Sequence, residues 1–237
     1  MLRRIAIYLS FITLILIPTG AILAAPIPTV TLDLPATGKL GESITFSVTF
    51  DNTHPNDIGY GPIVDLWIPS RGADGNDGIT FTSASYLTGQ VNAITQTFPG
   101  GGCLDHPYLR DTQSRAIQVC GTPGDTLVVL ELPFGSFTPA QPAAEVTIDA
   151  VISPNADLNQ PLQVQARGAF RFGISPVDDP CCDPAVIGTP VRDTITPVLI
   201  EMEKDNNAPE YEVVPGPNFS YRWTVTGDIA EGETITN

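Results

Sequence analysis

Residues 41–50, GESITFSVTF, alternate without a fault. Ile44, Phe46, Val48 and Phe50 fall on one side; Ser43, Thr45, Ser47 and Thr49 fall on the other. Successive side chains of an extended strand point to opposite faces, so this stretch reads as a strand with one dry side and one wet side. The same period returns along the chain, in TVTLDL (29–34), GPIVDLWIP (61–69), GITFTSA (78–84), AEVTIDAVI (144–152), PLQVQARGAFRFG (161–173), TPVLIEMEK (196–204) and FSYRWTV (219–225). TLVVLELP (126–133) is apolar on nearly both sides and is expected to lie centrally in its sheet. The 23 prolines and 21 glycines are spread between these runs and not packed into one tract, which reads as turns joining strands. After residue 25 no window of helical length carries a helical stripe. The expectation is all-β, with antiparallel sheets packed in two layers as a β-sandwich. A closed barrel is the alternative, disfavoured because residues 84–125 read as long and irregular.

The first 25 residues stand apart. Arg3 and Arg4 precede IAIYLSFITLILI (5–17), an apolar run of 13 residues, and Pro18 and Gly20 follow it. Ala24 and Ala25 are small enough for a cleavage site. This is the pattern of a secretory leader, and the run falls short of the roughly 20 residues that span a bilayer. A retained anchor is the alternative, since Pro26 and Leu23 are poor neighbours for cleavage. The chain would then touch a membrane only through this leader.

The formal net charge is −15, with only 16% of residues charged. Such an acidic chain repels phosphate backbones, which excludes nucleic acid as a partner. Export gives meaning to Cys103, Cys120, Cys181 and Cys182, because disulfides persist in oxidising compartments. Four cysteines allow three pairings. Cys103–Cys120 is the favoured one, closing a short loop inside the irregular segment. The adjacent Cys181 and Cys182 are left as a vicinal bond, free thiols, or partners of the other two. A zinc set of Cys103, His106 and Cys120 is the weaker reading in that compartment.

From about residue 195 the order of strand, turn and alternating strand starts again. The expected organisation is a leader over 1–25, a sandwich over 26–195, and the opening of a second β module over 196–237.

The stretches LGESITFSVTFDNT (40–53), IVDLWIPS (63–70) and GITFTSAS (78–85) resemble a bacterial cell-surface repeat, the domain of unknown function eleven. Gly41, Asn52, Thr53, Asp65 and Pro69 sit at matching places. GPNFSYRWTVTGDIAEGETITN (216–237) is similar to the start of a second copy, with Gly216, Asn218 and Gly232. The likeness covers about 28–84 and 196–237; residues 85–195 fall outside the repeat. Leu66 holds the place where the repeat has an acid three residues before proline. The resemblance implies an immunoglobulin-like module in a secreted or surface-attached array, with neighbouring modules or other cell-surface and extracellular components as partners. It brings no active site.

The residues themselves offer little chemistry. There are two histidines, His54 and His106, and no Gly-x-Ser-x-Gly elbow, His-Glu-x-x-His pair or phosphate loop. The chain is not expected to be an enzyme or to need a cofactor. Asp74, Asn76 and Asp77 in RGADGNDGI place oxygen ligands at short spacing, which suits a structural calcium ion, although the same residues make turns unaided. Asp178, Asp179 and Asp183 form a second acidic loop. Lys204 and Asn237 are candidates for an intramolecular isopeptide bond. Trp67 lies on the opposite side of its strand from Val64, Leu66 and Ile68, alongside Asp65; it is the candidate ligand contact if the module binds carbohydrate, the alternative to a structural or adhesive role.

Overall fold

Pro35 breaks the first extended run in two. A computed structural model describes residues 25–71, 75, 77–176, 183–199, 201–206 and 221–226. In it β1 (Pro28–Asp33) and β2 (Thr37–Lys39) flank that proline, and the alternating run forms β3 (Ser43–Asn52). Next come β4 (Gly59–Ile68), the β5–β6 hairpin (Ile79–Tyr86 and Gly89–Gln90) and β7 (Asn92–Thr97). A second hairpin follows, of β8 (Cys103–Arg110) and β9 (Ala116–Cys120). Then come β10 (Thr126–Glu131), the short β11 (Ser136–Phe137), β12 (Ala144–Ile152) and β13 (Leu162–Phe172). The short β14 (Val186–Ile187) and β15 (Val191–Val198) precede the antiparallel pair β16 (Glu201–Asn206) and β17 (Tyr221–Thr226).

Two sheets face each other. The smaller runs β1-β3-β12-β5-β6; the larger runs β2-β15-β13-β4-β10-β7. The broken first run serves both: β1 lies antiparallel to β3, while β2 lies parallel to β15 in the opposite sheet. Strands β1, β3, β12 and β5 hold the A, B, E and D places of an immunoglobulin sandwich. Strands β15, β13 and β4 hold the G, F and C places, and β10 and β7 widen that sheet beyond β4. The fold is therefore all-β and immunoglobulin-like, with open edges that a closed barrel lacks.

The alternating sides meet as the sequence demands. Val48, Phe50, Val64, Leu66, Val146 and Ile148 are fully buried, and Phe46 almost so. Phe50 sits edge-on against Phe137 and Phe170, with ring centroids 5.2 and 5.4 Å apart, a favourable arrangement of aromatic quadrupoles. Two glycines make room for these rings. A Cβ on Gly59 would stand 2.3 Å from the Phe170 ring, and one on Gly168 would stand 3.0 Å from Phe50.

Two expectations need correction. Residues 84–125 are not irregular: they supply β6, β7, β8 and β9. Their alternation is hard to read because β7 is mostly polar on both faces and β8 is bulged. Nor is β10 central. It is next to the outer strand β7, and it is apolar on both sides because something covers its outer face.

Candidate functional site

That cover is the β8–β9 hairpin. In a two-layer sandwich the outer face of each sheet meets water, yet Ile63, Leu127, Val129 and Ala169 on the outer face of the larger sheet are fully buried. With Leu109 and Val119 from the hairpin and Phe98 before it, they form a second apolar cluster, separate from the core. The molecule is thus three layers deep over this sheet.

The hairpin is fastened at its base, middle and tip. At the base a disulfide joins Cys103 and Cys120, which are directly opposite each other in register. The Trp67 indole N–H donates to the Cys120 carbonyl at 3.0 Å. At the tip Asp111 accepts the N–H groups of Gln113 and Arg115 on Oδ1, and the Arg115 guanidinium on Oδ2. The Arg115 hydrogen bond holds the Asp111 carboxyl below its usual range. On the flank Tyr108 reaches the Glu131 carboxylate at 3.4 Å, under the Arg171 guanidinium. Burial, then the Glu131 charge, pushes the Tyr108 phenol up, against the opposing pull of Arg171.

Under the middle of the hairpin lie three charged or ionisable side chains that the sequence reading had not joined. Asp65 and Arg167 are direct partners across β4 and β13. The Arg167 guanidinium grips Asp65 Oδ2 through Nη2 at 2.6 Å and Nε at 3.2 Å. From above, His106 Nε2 lies 2.8 Å from Asp65 Oδ1. Asp65 and His106 have no solvent-exposed side-chain surface. The bulge in β8 folds the chain around the ring, so that the backbone N–H groups of Tyr108 and Leu109 both donate to His106 Nδ1, at 3.0 and 2.9 Å. Nδ1 must then carry the lone pair, and Nε2 the proton it donates to Asp65. His54 does the same at a turn, its Nδ1 accepting from Asn56 and Asp57.

This arrangement is chemically closed. A catalytic histidine needs one ring nitrogen bound to its orienting acid and the other free for the nucleophile. Here backbone donors occupy one nitrogen and Asp65 the other. The site can hold the hairpin to the sheet; it has no nitrogen with which to move a proton.

Trp67 is half-buried next to this cluster. Arg167 stands 5.1 Å over its ring and its N–H is engaged by Cys120. Of the calcium candidates, Asp77 is buried, and Asp74 and Asn76 lie outside the described residues. Asp183 is also buried, but its carboxylate is surrounded by donors: Oδ1 accepts from Gly173 and Ile174, Oδ2 from Ile174 and Ser175, at 2.6–2.9 Å. A carboxylate saturated by N–H groups is not offered to a cation. Asp178, Asp179, Cys181, Cys182 and Asn237 lie outside the described residues, and Lys204 is placed only by its backbone on β16, opposite Trp223. Among the described residues no group of three or more metal-ligating side chains converges, and no helix is long and apolar enough to cross a membrane.

These features define the class of protein: an immunoglobulin-like sandwich with a disulfide-stapled hairpin laid over its larger sheet. No family model matches the chain, and no curated protein does. Solved structures share the layout loosely. A cohesin module from a Clostridium perfringens family 33 glycoside hydrolase matches at 4% identity with a TM-score of 0.42, covering 73% of this chain and 97% of that one. A C-terminal fragment of the major pilin of Streptococcus agalactiae matches at 10% identity and TM-score 0.33, over 76% of this chain and 58% of that one. The collagen-binding subdomain of an Enterococcus faecalis surface protein matches at 6% identity and TM-score 0.29, over 73% and 98%. Likeness at this level carries no functional argument.

Proposed function

We propose that this chain is a non-catalytic secreted or cell-surface module with a structural or adhesive role, one link in an end-to-end array. The observation that carries the proposal is where the chain enters and leaves the sandwich. It enters at Ile27, beside the far end of β3, where the Thr53 N–H donates to the Ile27 carbonyl. It leaves at Val198, beside the near end of β3, where the Leu40 N–H donates to the Val198 carbonyl. The ten residues of β3 separate these poles by roughly 33 Å. A module threaded from pole to pole transmits tension along its length and sets its neighbours in line.

Both poles carry exposed aliphatic side chains. Ile27, Ile58 and Ile174 mark the first, and Leu158 and Leu199 the second. Aliphatic ends suit packing against adjoining modules. The sandwich runs through Val198 to complete β15, so a second module would begin beyond that residue. The closed Asp65–His106 pair supports the non-catalytic reading, and the engaged Trp67 weakens the carbohydrate-binding alternative. The likeness of 40–53 and 63–85 to the surface repeat adds to the proposal from the residues alone.

Protease added to intact source cells tests it. Removal of the chain without lysis is the expected result; a chain released only on lysis overturns the proposal.

A further inference from the structure

The two sides of the sandwich end differently. On one side the outer strands are guarded: β1 carries Pro28 and Asp33, and β2 carries Lys39 and begins two residues after Pro35. Proline and charge on an outer strand block pairing with other chains. On the other side the outer strands are β5, capped only at Ser85 and Tyr86 by β6, and β7. Neither Ile79–Tyr86 nor Asn92–Thr97 contains a charged residue or a proline. Strand β7 is six residues long and, among the described strands, pairs only with β10. Among the described residues no strand pairs with its other edge.

The side chains of β7 are also incompletely covered. Register with β10 puts Ala93, Thr95 and Thr97 on the inner face, opposite Leu130, Val128 and Thr126. Yet Thr95 and Thr97 are exposed, because the smaller sheet ends at β5 and the two-residue β6 and no described strand faces the overhang. What remains is a cleft between β5 and β7. Two hollows, of about 420 and 210 Å³, are both lined by Phe81, and Ala84, Val91 and Ala93 line the larger one. At the end of the cleft the β5–β6 turn holds Leu87 at φ +54°, 82% exposed. A bulky aliphatic residue in left-handed backbone carries a local steric cost.

We propose that β7 pairs edge to edge with β7 of a second copy of this chain, antiparallel about a two-fold axis and centred on Thr95. A two-fold pairing sets residue i opposite residue j and j opposite i, so about Thr95 the pairs are Thr95 with Thr95, Ile94 with Gln96 and Ala93 with Thr97, and no like charges are brought opposite each other. This edge is free of charge in a chain whose net charge is −15. The pairing joins the two larger sheets into one and keeps both inner faces on the same side. Each copy's Thr95 and Thr97 then gain cover over the cleft. This contact is sideways and independent of the end-to-end array proposed above.

Sedimentation equilibrium of the oxidised, leaderless chain tests the pairing. The expected result is a reversible dimer that strengthens from 0.05 to about 0.5 M salt, as the repulsion between acidic bodies is screened. Thr95→Lys and Thr95→Glu are each expected to weaken association at least tenfold, since like charges then stand opposite each other, and an equimolar mixture of the two is expected to restore it. Thr31→Lys on the guarded β1 edge serves as the control and leaves the dimer unchanged. A monomer at every salt concentration overturns the proposal. So does a dimer that both Thr95 variants leave intact, or one that Thr31→Lys weakens equally.

Discussion

Asp65 and Arg167 stand 102 positions apart in the chain and face each other across β4 and β13, with Arg167 Nη2 2.6 Å from Asp65 Oδ2. The Asp65 side chain is fully buried and that of Arg167 is 15% exposed. Removing one member of a buried pair strands the other charge, at a cost of about 3–5 kcal/mol. Asp65→Asn and Arg167→Met are each expected to destabilise the protein on that scale in urea denaturation. The Asp65→Asn, Arg167→Met double variant, which leaves no stranded charge and keeps an oxygen for His106 Nε2, is expected to lose less than the two single losses combined. Strict additivity would show that the pair is not coupled.

The staple closes a short loop, 17 positions from Cys103 to Cys120. Breaking it by the Cys103→Ser, Cys120→Ser double change is expected to cost about 3 kcal/mol, from the extra freedom of the unfolded chain. Trp67 reports on the same event. Its N–H is held by the Cys120 carbonyl, so reduction is expected to wet the indole and shift its emission to the red, a change that Trp67→Phe abolishes.

Force spectroscopy reads the staple mechanically. Pulled from its two ends, the oxidised protein keeps the loop folded away from the force. Reduction is expected to lengthen the unfolded chain by about 60 Å, at roughly 3.5 Å for each of the hidden residues. Equal contour lengths before and after reduction would exclude the disulfide.

Tyr108 sets an alkaline limit. Its phenol is pushed above 10.0, chiefly by burial and then by Glu131. As pH rises past 10 the unfolded chain releases this proton first, so stability falls through the window just above 10. Tyr108→Phe is expected to flatten the stability profile between pH 10 and 11. An unchanged slope would show that Tyr108 titrates alike in both states.

Asp183 pins the loop that leaves β13. Asp183→Ala strips the acceptor from the N–H groups of Gly173, Ile174 and Ser175. The expected loss is about 1–3 kcal/mol, with faster amide exchange confined to 173–175. Asp183→Asn keeps one acceptor oxygen and should lose less.

Alternation alone decided much of this protein. Ile44, Phe46, Val48 and Phe50 had to share a buried side, because the pleat of a strand admits no other arrangement. The same logic put Trp67 and Asp65 together on the far side of β4. The proximity of Cys103 and Cys120 in sequence made their pairing the cheapest closure.

Tertiary structure decided what that far side was for. Sequence period states that two faces differ, but not what will cover either of them. Only the folded chain lays 103–120 over the larger sheet, which turns β10 from an expected central strand into a covered one near the edge. Only there do Asp65, Arg167 and His106 meet. Their contacts span 41 and 102 positions, and local propensity holds no information at that range. Which edges stay bare was likewise set by strand order, since a strand's sequence does not say who its neighbour will be.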